Sequence, residues 1–221
     1  MRIDVLTLFP KMFESPFAES IIGRAIKNNK LILKIHNLRD WATDTYGTVD
    51  DKPFGGGVGM VLKIDVIDRA LNDIQKENKG KIILLSAKGK RYEQQKSEEF
   101  ASEESLILIC GHYEGVDERI KNLIDEEISI GDYVLTGGEI PAMAIIDSVV
   151  RLLPGVLGKD ESNKSESFSE IEIDGKKIRV IEHPHFTRPQ EYKNWKVPEE
   201  LLSGDPKKID EWKKKQILKS S

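Results

Sequence analysis

Three strand-like segments in the middle of the chain, each followed by a loop of small residues, limit the possible folds more than any other feature. The segments span residues 81–85, 106–110 and 127–130, and each loop leads into a segment with a helical pattern. Strands that alternate with helices in this way are typical of a mostly parallel sheet covered by helices. The sequence therefore predicts an α/β fold.

The loops after these three strands predict a binding crevice. Ligands of open α/β sheets bind beyond the carboxyl ends of the strands, so residues 85–89, 111–115 and 130–138 are expected to line one crevice. The third loop contains three glycines and leads to Pro141, which suits the first turn of a buried helix. Glycines let a ligand approach the backbone closely, which favours edge-on recognition of a flat heterocycle such as adenine. The alternative is that this loop only connects a strand to a helix.

An irregular segment, residues 39–59, is long for a connection inside a compact domain, and such segments are usually functional or disordered. Residues 50–60 combine two acids, an aromatic residue and glycines, which favours a substrate loop over a linker. The glycines do not follow the dinucleotide fingerprint, and Arg91 stands where a phosphate-binding P-loop needs Ser or Thr. Nicotinamide-dependent and nucleotide-triphosphatase activities are therefore disfavoured.

Composition favours a cytoplasmic protein. The 221 residues carry a formal net charge of −4, and no apolar run approaches the roughly 20 residues that a membrane helix needs. The first residues have a strand-like pattern without signal-peptide features, and the single cysteine, Cys110, agrees with a reducing compartment. Cys110 ends an apolar strand and is expected to be a buried core thiol, with a nucleophilic role as the minor alternative. The four histidines lack zinc-site spacing, so no structural zinc site is expected.

The chain changes character after residue 158. A polar, serine-rich segment, residues 159–170, is predicted to be a flexible linker, and residues 171–221 to form a small, mainly helical domain. Alternation around Asp174-Gly175 predicts a β-hairpin, and residues 207–219 predict a basic helix. From residue 176 onward, 12 Lys and Arg stand against 7 Asp and Glu. Such a basic surface can contact phosphate groups, or it can be only a solvated face.

Several short motifs follow one another along the chain. They are Leu6-Thr7-Leu8-Phe9-Pro10, residues 50–60, Gly111-His112-Tyr113-Glu114-Gly115-Val116-Asp117-Glu118-Arg119, and residues 128–141, 151–158, 183–189 and 203–204. In this order they resemble the bacterial tRNA (guanine-N1)-methyltransferases of the TrmD type. The resemblance covers nearly the whole chain, and the ordered set is very specific.

The resemblance implies a SPOUT fold, in which an α/β domain, here residues 1–158, carries a deep trefoil knot near its carboxyl end. It implies a homodimer with an active site shared between subunits. It also implies S-adenosylmethionine as the methyl donor, bound within the knot, with Mg²⁺ as a further candidate cofactor and no metal ligands assigned. The implied cofactor-binding residues are Leu85, Ser86, Ala87, Gly111, Tyr113, Glu114, Ile130, Gly131, Tyr133, Leu135, Gly137, Gly138 and Pro141.

The implied reaction is methylation of N1 of the guanosine 3′ to the anticodon, position 37, in a tRNA that also has G at position 36. Guanine N1 carries a proton, so a base must remove it while a cation stabilises the charge that develops on O6. The resemblance places the base at Glu166, where the family usually has Asp, and the cation at Arg151. Asp174 is the rival candidate for the base. The implied tRNA-binding residues are Asp50, Pro53, Phe54, Gly55, Gly56, Gly57, His183 and Arg188.

Two other functional classes stay open. One is a different knotted RNA methyltransferase that uses S-adenosylmethionine and acts on another base. The other is a non-catalytic RNA-binding module whose base position has drifted to Glu166. The glycine-rich loop and the basic C-terminal segment favour the TrmD pattern over the first class. Arg151 and the intact pattern of the predicted pocket argue against the second.

Overall fold

A computed structural model describes residues 1–157, 166–173 and 176–219 of the protein. The chain divides into two compact units, Met1–Gly158 and Lys159–Ser221. Among the helices of the described residues, none combines the length and the apolar composition that crossing a bilayer requires.

The first unit alternates strands and helices. Its strands are β1 Arg2–Thr7, β2 Ile32–Asn37, β3 Asp50–Asp51, β4 Val61–Leu62, β5 Lys81–Arg91, β6 Ser105–Cys110 and β7 Glu126–Ser129. Its α-helices are α1 Glu14–Ala18, α2 Ser20–Lys27, α3 Ile64–Ile74, α4 Gln94–Ala101 and α5 Glu139–Val150. Short 3-10 helices span Pro10–Phe13, Leu38–Trp41 and Glu118–Asn122.

Five of these strands form one parallel sheet in the order β2-β1-β6-β5-β7. Side chains of a strand alternate between the two faces of a sheet, and β6 shows this clearly. Leu106 and Leu108 join a core cluster with residues of α5, whereas Ile107 and Ile109 join a second cluster with residues of α3. The predicted α/β fold with a mostly parallel sheet is therefore confirmed.

Two predicted helices take a different form. The pattern of residues 16–29 predicts one helix, but the structure has two, α1 and α2. The helical backbone is interrupted at Ser20, which has a positive φ of +58°. The pattern of residues 117–124 also predicts a helix, and the structure has a 3-10 helix over Glu118–Asn122 there. Its amino end is capped by Asp117, whose side chain accepts a hydrogen bond of 3.0 Å from the amide of Arg119.

A buried carboxylate, that of Asp4 in β1, is bound by three other side chains. Arg2 Nε donates to it at 2.6 Å, Asn78 Nδ2 donates at 2.7 Å, and His36 Nε2 lies 2.6 Å from its Oδ1. Burial alone raises the pKa of Asp4, but the hydrogen bonds outweigh burial and hold that pKa well below its ordinary range. The network links β1 to β2 and to the segment that follows α3.

We expect the Asp4→Asn variant to unfold with a free energy about 3 kcal/mol below that of the wild type at pH 7, because a buried charged network loses one partner. A carboxyl group whose pKa is lowered by folding stabilises the protein above its unfolded pKa of about 4. This contribution is lost as the pH falls below that value. Urea unfolding at pH 7 and at pH 3 should therefore show a difference in unfolding free energy between the two proteins that is smaller at pH 3.

The control is Asp73→Asn, which removes an exposed ion pair with Lys76 and should lower the free energy of unfolding much less at pH 7. Equal losses in the two variants would contradict the role of Asp4.

The second unit combines two hairpins with two helices. Its elements are β8 Glu170–Ile173, β9 Lys176–Arg179, β10 Glu191–Tyr192, β11 Trp195–Lys196, α6 Glu199–Leu202 and α7 Pro206–Lys219. Antiparallel pairing of β8 with β9 confirms the predicted hairpin, whose turn, residues 174–175, lies outside the described residues. The predicted basic helix is α7, and its Trp212 is buried against His183 and Phe186. The predicted linker, residues 159–170, lies mostly outside the described residues and stays a prediction.

Candidate functional site

A cavity of about 300 Å³ opens beyond Leu85 of β5 and the carboxyl ends of β6 and β7. Its wall is formed by residues that follow Leu85, by residues 111–116 after β6 and by residues between 130 and 138 after β7. Because the three strands are parallel, these segments meet at one edge of the sheet. The crevice that the sequence predicts is therefore confirmed.

All thirteen residues predicted to bind the cofactor line this one cavity. They come from three segments that are distant in sequence, and their contact with a cofactor stays a prediction. The residues are Leu85, Ser86, Ala87, Gly111, Tyr113, Glu114, Ile130, Gly131, Tyr133, Leu135, Gly137, Gly138 and Pro141.

The first segment is a bulge within a long strand rather than the predicted loop. β5 continues to Arg91, and its pairing with β7 shifts in register between Leu85 and Lys90. Gly89 lets the two strands approach closely, because a Cβ there would overlap the backbone of Ile128. The bulge re-aims the intervening residues, so that they face the cavity instead of continuing the ladder.

The third segment crosses the end of β6. The amide of Gly138 donates to the carbonyl oxygen of Gly111 at 2.8 Å, and His112 forms an isolated antiparallel bridge with Gly137. A Cβ on Gly138 would lie 2.6 Å from Cys110 Cα, which is too close for any side chain. The φ of Gly138 is −80°, so this glycine is required by lack of space and not by its backbone conformation.

His112 lines the cavity but was absent from the predicted cofactor-binding residues. Its ring packs against Phe9 and Tyr113, with centroid distances of 4.9 and 4.7 Å. Its Nδ1 is buried and has no hydrogen-bond partner within the described part of the chain. A buried polar atom normally has a partner, but this Nδ1 packs against Gly137, where an added Cβ would lie 2.6 Å from it. The available signal in the sequence was the position of His112 directly after Gly111, at the end of a buried strand.

Behind the third segment, Glu139 is buried and accepts a hydrogen bond of 2.7 Å from Thr7 Oγ1. Burial, together with the negative charge of Glu139, raises the pKa of the Cys110 thiol well above its ordinary value. Cys110 is buried, which confirms the predicted core thiol. Because the thiolate is the nucleophilic form, a raised pKa disfavours the alternative of a nucleophilic cysteine.

The predicted substrate loop lies beside the rim of the cavity. It connects β3 to β4, and the amide of Glu114 donates to the carbonyl oxygen of Met60 at 3.1 Å. A Cβ on Gly59 would overlap the side chain of Glu114. Phe54 is fully exposed, and residues 55–57 are glycines with positive φ, a conformation that other residues adopt only with strain. The loop therefore exposes an aromatic side chain, while its Gly59 and Met60 lie against Glu114 of the cavity wall.

The other residues predicted to bind tRNA are spread over both units. Asp50 lies in β3 and, like Pro53, is half-buried. His183 and Arg188 lie in the irregular segment between β9 and β10, where His183 is half-buried and Arg188 is exposed. Their contact with tRNA stays a prediction.

The two predicted catalytic residues belong to different units. Arg151 is the half-buried C-cap residue of α5, and its amide donates to the carbonyl oxygen of Asp147 at 3.2 Å. A cation is favoured at the carboxyl end of a helix, so this position suits arginine. Glu166 begins a turn in which its carbonyl oxygen accepts a hydrogen bond from the amide of Ser169 at 3.0 Å. The catalytic roles of both residues stay predictions.

The parallel sheet, the cavity beyond its strand ends and the close-packed glycines define a class, that of α/β proteins with a ligand site at the carboxyl edge of the sheet. Comparison with known families is more specific. The family described as tRNA (Guanine-1)-methyltransferase TrmD matches residues 1–221. The chain belongs to this family.

Curated relatives match this chain over almost its full length. A tRNA (guanine-N(1)-)-methyltransferase of Dehalococcoides mccartyi is 50% identical over 222 residues, which cover 99% of this chain and 86% of the relative. The enzyme of that name from Carboxydothermus hydrogenoformans is 51% identical over 219 residues, covering 99% and 83%. The one from Bacillus cereus is 50% identical over 222 residues, covering 99% and 88%. The resemblance to the TrmD type is therefore confirmed.

Proposed function

We propose that this chain transfers a methyl group from S-adenosylmethionine to N1 of the guanosine at position 37 of tRNA. The observation that carries the proposal is the single cavity that gathers all thirteen predicted cofactor-binding residues in a member of the TrmD family. The curated relatives are named as tRNA (guanine-N(1)-)-methyltransferases, which supports N1 of a tRNA guanine as the acceptor.

The residues of the cavity fit S-adenosylmethionine. Leu85, Ile130 and Leu135 offer apolar surface to a flat heterocycle, and the glycines of the wall leave backbone groups accessible to its edge. Glu114 offers a carboxylate, whose negative charge a sulfonium attracts. When bound, S-adenosylmethionine supplies an electrophilic methyl group attached to a positively charged sulfur.

The Gly138→Ala variant is expected to bind S-adenosylmethionine about 10–100-fold more weakly than the wild type. The added methyl group would push the third segment away from the end of β6 and so distort the cavity wall. Restoring the wall on binding would cost about 1–3 kcal/mol, the usual free-energy cost of overpacking, and the affinity for the donor would fall accordingly. Calorimetric titration with the donor measures the change. Gly23→Ala is the matched control, since its Cβ would also meet backbone, 2.6 Å from Ala18 O, but in α2. Wild-type affinity in Gly138→Ala would rule out donor binding at this cavity wall.

Several surfaces are suited to tRNA. The part of the chain from residue 176 onward is basic, and Arg188 is exposed within it. The hairpin of β10 and β11 exposes Tyr192 and Trp195, and Lys193 Nζ lies 5.5 Å from the centroid of each ring. Exposed aromatic side chains with adjacent cations are the surfaces on which unpaired bases stack. Phe54 provides a further exposed ring in the first unit.

The proposed chemistry assigns one task to each catalytic residue. The carboxylate of Glu166 accepts the proton of guanine N1, so that the electrons of the N–H bond become a lone pair that can attack the methyl carbon. The guanidinium of Arg151 stabilises the negative charge that this step moves onto O6. The proton would therefore end on the carboxylate. The methyl carbon would exchange its bond to the donor sulfur for a bond to N1, and the sulfur would keep the electron pair of the broken bond and leave as a neutral thioether.

The proposal includes a trefoil knot, a homodimer with a shared active site and a cytoplasmic location. The knot is supported by the path of the chain after β7, which pairs with β5 but then crosses the end of β6. The homodimer is supported by apolar side chains exposed beside the cavity, Val134 and Ile140, since a second copy would remove them from water. Mg²⁺ stays a predicted cofactor without assigned ligands.

The test of the activity is identification of the labelled nucleoside. The full-length protein is incubated with unmodified tRNA and S-adenosylmethionine carrying a labelled methyl group, and the tRNA is then digested to nucleosides. We expect 1-methylguanosine to carry the label. Label in another nucleoside would indicate a different RNA methyltransferase of the knotted class. Absence of label from a folded protein that binds the donor and tRNA would indicate a non-catalytic RNA-binding module.

A further inference from the structure

Two histidines and a glutamate of the second unit form a cluster that has no part in the catalytic proposal. One ligand atom from each of Glu182, His183 and His185 lies within 4.8 Å of the others. His185 Nε2 is 2.9 Å from Glu182 Oε1, and the centroids of the two imidazole rings are 4.6 Å apart. Two imidazoles and one carboxylate are a ligand set that binds zinc at sites with three protein ligands.

The surroundings of His183 orient it as a ligand. Its Nδ1 lies 3.2 Å from the carbonyl oxygen of Pro184, which can only accept, so Nδ1 is the donor of this hydrogen bond and Nε2 is the ring nitrogen that remains for a metal ion. A second hydrogen bond of this kind fixes the tautomer of metal-ligating histidines and raises their basicity. The ring also contacts buried Trp212 of α7, with the centroids 6.1 Å apart. Two of the three ligands, Glu182 and His183, are half-buried.

We propose that Glu182, His183 and His185 bind one zinc ion. Imidazole nitrogens favour zinc and its neighbours in the first transition row, whereas Mg²⁺ prefers an all-oxygen environment. The ion takes the place of the proton that lies between His185 and Glu182. It fixes the segment that leads to Arg188 and links it, through His183, to the contact with α7. This inference does not rest on the proposed methyl transfer.

The sequence pattern did not predict this site. Structural zinc sites are usually recognised from pairs of ligands separated by two to five residues, and Glu-His-Pro-His does not match that spacing. In extended backbone, however, residues i and i+2 point to the same side, so His183 and His185 converge. The four histidines were expected to form no structural zinc site because they lack the usual spacing of zinc ligands, and a spacing of two residues in extended backbone is not among the usual ones. The proposal also gives His183 a role other than the predicted contact with tRNA.

Zinc titration of the full chain, after removal of metal with a chelator, tests the proposal by calorimetry. We expect one zinc ion per chain, and an affinity at least about tenfold lower in His185→Ala and in Glu182→Gln. The side chain of His185 is 68% exposed, so its replacement should leave the fold intact, which circular dichroism verifies. Glu191→Gln is the matched control, because it removes a carboxylate of the same unit that pairs with Lys196. It should bind zinc as the wild type does.

A second measurement locates the ion. The chain has three tryptophans, so a Trp41→Phe, Trp195→Phe double variant leaves only Trp212 to fluoresce. Co²⁺ bound at the cluster should quench Trp212, because a paramagnetic ion would lie next to the ring that contacts His183. Zn²⁺ should displace it and restore the fluorescence, whereas Mg²⁺ should have no effect. The proposal is overturned if the folded wild type binds no zinc. It is also overturned if His185→Ala and Glu182→Gln keep wild-type affinity.

Discussion

Replacing Glu166 by Gln is expected to slow methyl transfer to tRNA by about 10²–10⁴-fold, the usual contribution of a general base. The amide has nearly the size of the carboxylate but cannot accept the proton of guanine N1, so the lone pair of that nitrogen stays unavailable. Single-turnover transfer from a labelled donor measures this step directly. Donor and tRNA affinities should remain near those of the wild type, because the loss lies in the chemical step. Glu166→Asp, which introduces the residue that the resemblance implies at this position, should keep most of the activity.

A carboxylate of the same segment provides the control for this variant. Glu170→Gln removes a charge four residues further along, at the start of β8, and should leave the rate unchanged within a few-fold. If transfer survives in Glu166→Gln and is lost in Asp174→Asn, the base is Asp174. Full activity in both of these variants would refute a carboxylate base in this part of the chain.

Replacing Arg151 by Ala is expected to slow transfer by about 10²–10³-fold, comparable to the loss of one donor that stabilises a developing oxyanion. Removal of the N1 proton leaves negative charge on guanine O6, and without the guanidinium that charge lacks a fixed cation. Arg151→Lys keeps the charge but loses the planar pair of donors, so its rate should fall between those of the wild type and the alanine variant. The pre-steady-state rate on unmodified tRNA measures the series.

A second arginine in the first unit separates this effect from a general loss of charge. Arg24 is exposed in the last turn of α2, as Arg151 caps the end of α5. Arg24→Ala should keep the wild-type rate. A similar loss in Arg24→Ala and Arg151→Ala would mean that Arg151 contributes only through the overall charge or stability of the unit. Loss of donor binding in Arg151→Ala would instead assign it to the cofactor site.

The position of the cavity could be predicted because it depends on topology. The apolar segments 81–85, 106–110 and 127–130 indicate parallel strands, and parallel strands bring their carboxyl ends to one edge. The role of the buried Cys110 was also predictable, since it ends one of these apolar runs. The assignment of thirteen residues to one cavity required more than periodicity, and it came from the resemblance to the TrmD type.

Features that depend on exact backbone approach could not be predicted. The bulge after Leu85 arises because Gly89 lets β7 lie against β5, and an isolated glycine in a sequence is equally compatible with a loop. The break at Ser20 interrupts a pattern whose apolar spacing favours one continuous helix. The unpartnered Nδ1 of His112 and the convergence of His183 with His185 depend on side-chain placement, which apolar periodicity does not encode.

Methyl transfer to guanosine 37 is the activity proposed for this chain. Transfer of a labelled methyl group to two tRNA transcripts tests it most directly. Both transcripts have G at position 36, and they differ only in carrying G or A at position 37. We predict stoichiometric labelling of the transcript with G at position 37 and none of the transcript with A. Equal labelling of the two transcripts, or labelling of neither by a folded protein that binds the donor, would contradict methyl transfer to guanosine 37.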